Sequence, residues 1–531
     1  MHERWDAVVV GAGIGGLTAA ARLIREGLRV LVVESDPHPG GTAYVYHRGD
    51  FDFPMGPLGY SSPEVVANSL ALAGIDETLE LDRIYYELVA FGLRAPLSLP
   101  YGEMITRLAS LFPREEAAIS RFFAHIKEMS SRPALPETQG TSRPRKTEAV
   151  SAGRYLDGLI EDWRLRRILG SMGSREPFSG LPLLAAMWSL LCDKGIHYPR
   201  GGMRRLCDVL AAKVGWKNGS PGSGGLSLHN APASPANGRL VLRTDVCEIL
   251  VKKGKARGIA LCDGTRIASQ AVISNADYKA TFMRLVPRLS VPEELHQALS
   301  TARQTSSNLQ VCLGLDASMV DLSAYDGASR LIYRRDGASG PPADAGVDWD
   351  KKEIDPQALA GEEIEASLLS ADDPLLAPQG MAVLVIRVAA AHRHFTRFRP
   401  QWRKRTPDYM EYKTRLAAAL VDEVSNIAPG LREATQTMDV ATPLTFEERG
   451  GRSEGAVAGW SWDYEEGSEQ GTLELVRTPV AGLYMAGYQA FSMLALGGVP
   501  SAMLSGIKAA EYLLAGAGPA SEVRIPRGGR D

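Results

Sequence analysis

The chain has 531 residues, more than one hydrophobic core ordinarily organises, so two or more domains are expected. Hydrophobic residues make up 45% and charged residues 23%, with a net charge of -3; this is ordinary globular composition and excludes a basic, nucleic-acid-binding character for the whole molecule. Five scattered cysteines (Cys192, Cys207, Cys247, Cys262, Cys312) include no Cys-x-x-Cys pair, which speaks against a disulfide framework or a zinc site and fits a reducing compartment.

The opening MHERWDAVVVGAG shows no secretory pattern, because acids and a tryptophan precede a strand that starts almost at once; a cytoplasmic protein is expected. Residues 7–10 are apolar, β-branched and end in glycine, as a buried parallel strand does. Residues 17–26 are alanine-rich and read as a helix, and LRVLVVE at 28–34 reads as a second buried strand, completing a βαβ unit. Between strand and helix stand Gly11, Gly13 and Gly16 in G-x-G-x-x-G spacing. Gly11 suits the tight turn, Gly13 lets backbone approach a pyrophosphate, and Gly16 lets helix pack closely on sheet. The diphosphate would lie at the helix N-terminus, where free N–H groups favour negative charge. Glu34 ends the second strand about twenty residues on, where a carboxylate accepts from ribose hydroxyls.

From Ser61 to about Ser189 the pattern turns helical. Ile119, Phe122, Phe123 and Ile126 share one helix face, and Leu156, Leu159, Ile160 and Trp163 repeat the pattern. Loops are expected at 130–146, at 217–238 and, with acidic character, around 344–373. Strands return at Arg239, punctuated as hairpins by Lys253-Gly254-Lys255 and Asp263-Gly264. A mixed α/β region runs on to about Gly459. Residues 393–405 interleave six Arg and Lys with Phe395, Phe398 and Trp402. They read as a solvated element with some rings buried; docking to an anionic membrane surface is the second reading. His392 and His394 are assigned to that basic surface, and no metal site is expected.

Residues 478–507 contain no charged side chain, long enough to raise a membrane span. Gly-Gly followed by Pro in mid-run argues instead for strand, turn and helix. GLYMAG is the strand, Gly497-Gly498 let backbone approach a planar ring, and Pro500 suits the first turn of a helix through Ala502, Leu504 and Ile507. That helix N-terminus could stabilise negative charge on a reduced ring.

ESDPHPGGTAYV places a glycine pair, Gly40-Gly41, shortly after Glu34. The spacing resembles flavoproteins of the glutathione-reductase-like and amine oxidase-like superfamily. Within it, the chain resembles the phytoene desaturase, carotenoid isomerase and retinol saturase-like family. The resemblance rests on FDFPMGP (51–57), YPRGGMRRLCDVL (198–210), VISNAD (272–277), ATPLTFEE (441–448) and the closing GLYMAG…GGVPSAMLSGIKAA, in the family's order over nearly the whole chain. It implies an α/β fold, a Rossmann-like FAD-binding domain with a second mixed α+β substrate domain. The implied division is discontinuous: 1–60, 195–290 and 470–520 for FAD, 61–194 and 291–469 for substrate. It also implies noncovalent FAD held by Gly11, Gly13, Ile14, Gly15, Gly16, Glu34, Gly40, Gly41, Thr42, Val246, Asn275, Gly487, Gly498 and Val499, with Val246 meeting adenine through its backbone.

The chain departs from the family between Gly487 and Val499, where YQAFSMLALGG is longer and apolar. Tyr488, Gln489 and Phe491 are the substrate-facing candidates there; Tyr488 and Gln489 are equally suited to hydrogen-bond cofactor or backbone, and no catalytic residue is assigned. The expected chemistry is hydride transfer between flavin N5 and a hydrophobic polyene or isoprenoid-type substrate, by desaturation, saturation or isomerisation. Two other readings stay open: an FAD oxidase or dehydrogenase of an amine or secondary metabolite, and a non-catalytic prenyl-binding chaperone. The electron acceptor is left open among oxygen, quinone and nicotinamide, and peripheral membrane contact is left open too.

Overall fold

The computed structural model describes residues 4–131, 151–171, 180–216, 237–335, 351–461, 472–493, 496–521 and 523–525. The strand Trp5–Val10 is buried at every position but Asp6, because it has a parallel neighbour on each side and a helix above. Its neighbours are Val30–Val33 and Arg266–Ser274. Gly238–Val241 extends the sheet beyond Val30–Val33. On the other flank Arg266–Ser274 divides its edge: its start pairs antiparallel with Lys255–Leu261, and its end runs parallel to Leu483–Met485. Val246–Lys252 closes the sheet as a hairpin turning through Lys253 and Gly254, both at positive φ (51° and 69°). The helix Ile14–Arg25 packs on this sheet against the C-terminal helix Gly498–Leu514.

A second sheet of seven strands runs in the spatial order Thr435–Ala441, Ser307–Asp316, Met381–Ala390, Ile364–Leu368, Arg330–Tyr333, Tyr86–Ala90 and Leu93–Pro96. Along Ser307–Asp316 the alternation separates two faces: Leu309, Val311, Leu313 and Leu315 enter a core of their own, with Phe395, Phe398 and Tyr412. Asn308 and Gln310 occupy the opposite face. A third core, around Ile119, Phe122, Phe123, Ile126 and Trp188, lies within the helical segment.

Several expectations change. The segment from Ser61 onward is not purely helical, since Leu81–Ile84, Tyr86–Ala90 and Leu93–Pro96 are strands. The last two join the second sheet through pairing with Arg330–Tyr333, a partner more than two hundred residues away that no local pattern signals. The face Leu156–Trp163 is two helices, Ala152–Asp157 and Trp163–Ser171, with residues 158–162 between them. Residues 364–368 of the supposed acidic loop are an interior strand of the second sheet. The loops read at 132–146, 217–236 and 344–350 lie outside the described residues. Cys247 and Cys262 form a disulfide across the hairpin, contrary to the reading of unbridged thiols; strand pairing opposes two residues 15 apart in sequence, which their scatter hides.

The basic segment is a solvated element with some rings buried, as read: Arg393, Arg397, Arg403 and Lys404 are exposed while the rings of Phe395 and Phe398 are buried. Phe395, Phe398 and His394 are fully buried, His392 bonds Glu447 at 2.8 Å, and Arg399 and Arg405 pair with Glu447 and Glu448. Both histidines therefore leave the surface to which they were assigned. Trp402, 48% exposed, sits between the guanidinium groups of Arg284 and Arg399. Among the described residues no helix is long and apolar enough to cross a membrane.

Candidate cofactor and substrate cavity

Strand register places the site. Val10 is level with Val33 and Ser274, Val33 with Val241, and Ser274 with Met485, so five parallel strands end in one row. The residues that follow each end (Gly11, Glu34, Thr244 to Val246, Asn275, Gly487) all line one cavity of ≈ 540 Å³. In open parallel sheets this carboxyl edge is where ligands bind.

The glycines of the first turn are explained by what crowds them. A Cβ on Gly13 would stand 2.6 Å from Asn275 Nδ2, and one on Gly15 would meet Asn275 Oδ1 at 2.7 Å and the Gly487 nitrogen at 2.8 Å. A Cβ on Gly16 would drive into the Gly11 carbonyl. Asn275 thus fills the space those hydrogens leave, and its Oδ1 is buried without a partner among the described residues. Gly40, at φ 113°, forms a bridge with Gly13 and donates to the Ala12 carbonyl at 2.8 Å, closing the second loop on the first. Glu34 is buried and accepts from the Ala12 nitrogen at 2.6 Å and the Asp36 nitrogen at 2.9 Å. A carboxylate has lone pairs to spare beyond those two. Burial, and then the charge of Glu34, push the Asp36 carboxyl up to about 6. Burial pushes His38 down to about 4; its ring stacks on Tyr44 at 3.4 Å.

Two helices begin at the cavity. Ile14–Arg25 starts from Gly13 and Gly498–Leu514 from Gly497, and neither has a side-chain cap, so their first N–H groups are left for a ligand. Gly498 and Val499 line the cavity. Gly497 does not serve ring approach: the space beside it is taken by Ser61 Oγ, which would lie 2.6 Å from a Cβ there. Of the apolar insert, Tyr488 and Gln489 line the cavity, whereas Phe491 is buried in the core (1% exposed) beneath Lys508 and faces no substrate space. Gln489 accepts from the Tyr278 nitrogen at 2.7 Å, and its carbonyl accepts from Trp460 Nε1 at 3.0 Å, a structural use of the residue. Residues 494–495 lie outside the described residues.

The opposite wall was not read from the sequence: Asn308, Gln310 and Arg387 come from the second sheet, Gln304 from just before its strand, and Phe446 and Arg452 from the helix Pro443–Gly450 and the turn after it. The alternation of polar and apolar residues in SNLQVCLGLD could have marked Asn308 and Gln310. Nothing local marks Arg387 or Arg452. Arg452 donates to Thr42 Oγ1 at 2.7 Å and to the Val457 carbonyl at 2.6 Å, and Ser453 donates from its nitrogen to Asp277 Oδ2 at 3.0 Å, tying the two walls together.

A carboxyl-edge cavity with a glycine turn, a buried ribose-type acid and two uncapped helix starts has the form of a dinucleotide site. Residues 9–71, which carry the glycine turn and Glu34, match a family model, NAD(P)-binding Rossmann-like domain. The chain is related over nearly its whole length to the prolycopene isomerase of Daucus carota, at 25% identity over 97% of this chain and 81% of that one. It is related in the same way to the lycopene-forming phytoene desaturase of Pseudescherichia vulneris, at 24% identity, with 83% and 86% covered. Among solved structures, an oxidoreductase from Methanosarcina mazei superposes with a TM-score of 0.61 at 17% identity, covering 96% of this chain and all of that one. Cyclohexylamine oxidase from Brevibacterium oxydans gives 0.57 at 15% identity, with 96% and 98% covered; both share the fold.

Proposed function

We propose that the protein is an FAD-dependent oxidoreductase whose substrate is a hydrophobic polyene or isoprenoid-type molecule, desaturated, saturated or isomerised in the cavity between the two sheets. One observation carries this reading: the residues following five parallel strands converge on a single cavity that is walled, on its other side, by the second sheet. The residues fit a dinucleotide. Glu34 suits the adenosine ribose, the Gly11–Gly15 turn and the helix start at Ile14 suit the diphosphate, and the helix start at Gly498 suits an electron-rich ring edge. The orphaned Oδ1 of Asn275 supports a ligand amide or hydroxyl at that point. Bound FAD would supply hydride transfer at flavin N5. This chain would orient the partner carbon against it, exclude water by closing the Arg452–Thr42 and Ser453–Asp277 contacts over the cavity, and hold the surrounding dipoles fixed. The names of the related proteins support the substrate class; amine oxidation has only the shared fold behind it.

The test is the visible absorption spectrum of the purified protein, followed by mass identification of what acid releases. Bands near 370 and 450 nm, on the order of those of any oxidised flavin, and released FAD are expected. A colourless protein that cannot be reconstituted with FAD would overturn the enzyme reading in favour of a prenyl-binding role.

A further inference from the structure

The wall supplied by the second sheet is more polar than a hydrocarbon substrate requires. Arg387, on the strand Met381–Ala390, donates from Nε to Gln310 Oε1 at 2.7 Å and from Nη2 to the Gly56 carbonyl. Gln310 is its register partner on the neighbouring strand and is itself held by the Pro54 carbonyl, which accepts from Nε2 at 3.0 Å. Glu365 is the register partner on the other side, yet its carboxylate is engaged by Ser367 at 3.2 Å. Among the described residues no carboxylate comes within 4.0 Å of the Arg387 guanidinium. Two positions along from Gln310 lies Asn308, on the same face, and Gln304 precedes the strand. Both amide atoms of Gln304 are buried and lack a partner among the described residues.

A hydrocarbon laid along this row would strand the Gln304 amide and the guanidinium N–H groups of half-buried Arg387 that Gln310 and Gly56 do not use. A polar group sealed under hydrocarbon without a partner is costly, because it has given up its hydrogen bonds to water. A carboxylate removes the penalty, since a guanidinium held by its other nitrogens presents the remaining N–H groups to an anion in fork geometry. We propose that the substrate is an apolar chain ending in a carboxylate, which Arg387 receives, with Gln310 fixing the guanidinium and Gln304 and Asn308 completing the polar row. The inference rests on the flavoenzyme reading above and narrows its substrate class.

The test titrates purified holoprotein with all-trans-retinoic acid and with its methyl ester, matched in the polyene and differing in charge, and follows the bound flavin's absorption. The acid is expected to bind at least about tenfold more tightly than the ester, the equivalent of one charge-assisted contact. R387Q should abolish that preference while leaving ester affinity and flavin content unchanged; R387K, which keeps the charge, should retain part of it. Equal binding of acid and ester overturns the inference, as does a parallel loss of both in R387Q. Loss of flavin from R387Q assigns the arginine to the cofactor and overturns it too. If neither retinoid perturbs the flavin, oleate and benzoate are titrated, and silence from both overturns it. A flavin spectrum in the untreated protein keeps the enzyme reading standing in each of these cases, and its absence is what sinks that reading.

Discussion

At the scale of single residues, the cavity edge is shaped by what is missing. The methyl group introduced by Gly13→Ala would have to displace the Asn275 amide, whose Nδ2 would lie 2.6 Å away. The methyl of Gly16→Ala would meet backbone that cannot yield. Gly13→Ala is therefore expected to weaken cofactor retention at least tenfold with little change in melting temperature. Gly16→Ala should instead destabilise the fold by about 1–3 kcal/mol, the usual consequence of overpacking. Flavin content after gel filtration and denaturant titration separate the two effects. Asp36 makes a second residue-scale prediction. Its carboxyl is held at about 6 in the folded protein, against an ordinary value of 3.8. The folded state thus binds that proton more tightly than the unfolded chain does. Stability must fall as pH rises from about 4 through 6, and the penalty is complete above that window. Asp36→Asn is expected to raise stability at pH 8 by about 1 kcal/mol after solvent screening, and to change nothing at pH 4. A variant no more stable at pH 8 than the parent would refute the raised carboxyl that burial, and then the charge of Glu34, give Asp36.

At the scale of elements, the helix Pro443–Gly450 carries the contact between the basic segment and the second sheet. It begins with a capping box between Thr442 and Thr445 and places Glu447 against His392 and Arg399. Burial opposes the charge of Glu447, but the hydrogen bond and charge of His392 and those of Arg399 outweigh it and hold the carboxyl at about 2. Its contribution to stability is fully present above about pH 4.5 and is lost as pH falls toward 2. Glu447→Gln should cost about 1–3 kcal/mol at pH 7, and the deficit should shrink on acidification toward pH 3, read by urea midpoints at each pH. A deficit independent of pH would mean that packing, not charge, accounts for it. Because Phe446 lines the cavity, the same variant is expected to disturb substrate binding more than flavin content.

At the scale of the whole molecule, the two sheets meet across the cavity through a few polar ties. Arg452 reaches Thr42, Gln310 reaches the Pro54 carbonyl at 3.0 Å, and Ser453 reaches Asp277. A ligand filling that space binds the folded state alone, so it stabilises by mass action, by about 2.7 kcal/mol at a hundredfold excess over its dissociation constant. Acid-stripped protein is therefore expected to melt a few degrees higher with FAD added. AMP should give a smaller rise, through Glu34 and the first turn only. A thermal scan in which FAD gives no more than AMP would show that the flavin half of the cavity contributes nothing.

The local half of this protein is legible in the chain. The βαβ unit, the glycine turn, Glu34, the strand and helix at Leu483–Met485 and Gly498–Leu514, and the hairpin at Gly254 are all set by interactions within a few residues: β-branching, glycine at positive φ, proline in a first turn. Long-range register was not legible, and register made the site. Only when Val10, Val33, Val241, Ser274 and Met485 align in one row do five separate strand ends become one cavity edge. The same holds for the opposing wall, where Arg387 faces the cavity because a strand begun 74 residues earlier pairs Met381 with Asp316. It holds equally for Phe491 and His394, which surroundings from elsewhere in the chain turned from substrate-facing ring and surface into core, and for Gly497, whose open side is taken by Ser61. Propensity and turn chemistry act over a few residues and can be read in order. Which side chains share a cavity depends on pairings between segments hundreds of residues apart, and those were decided by burial of the two sheets as wholes.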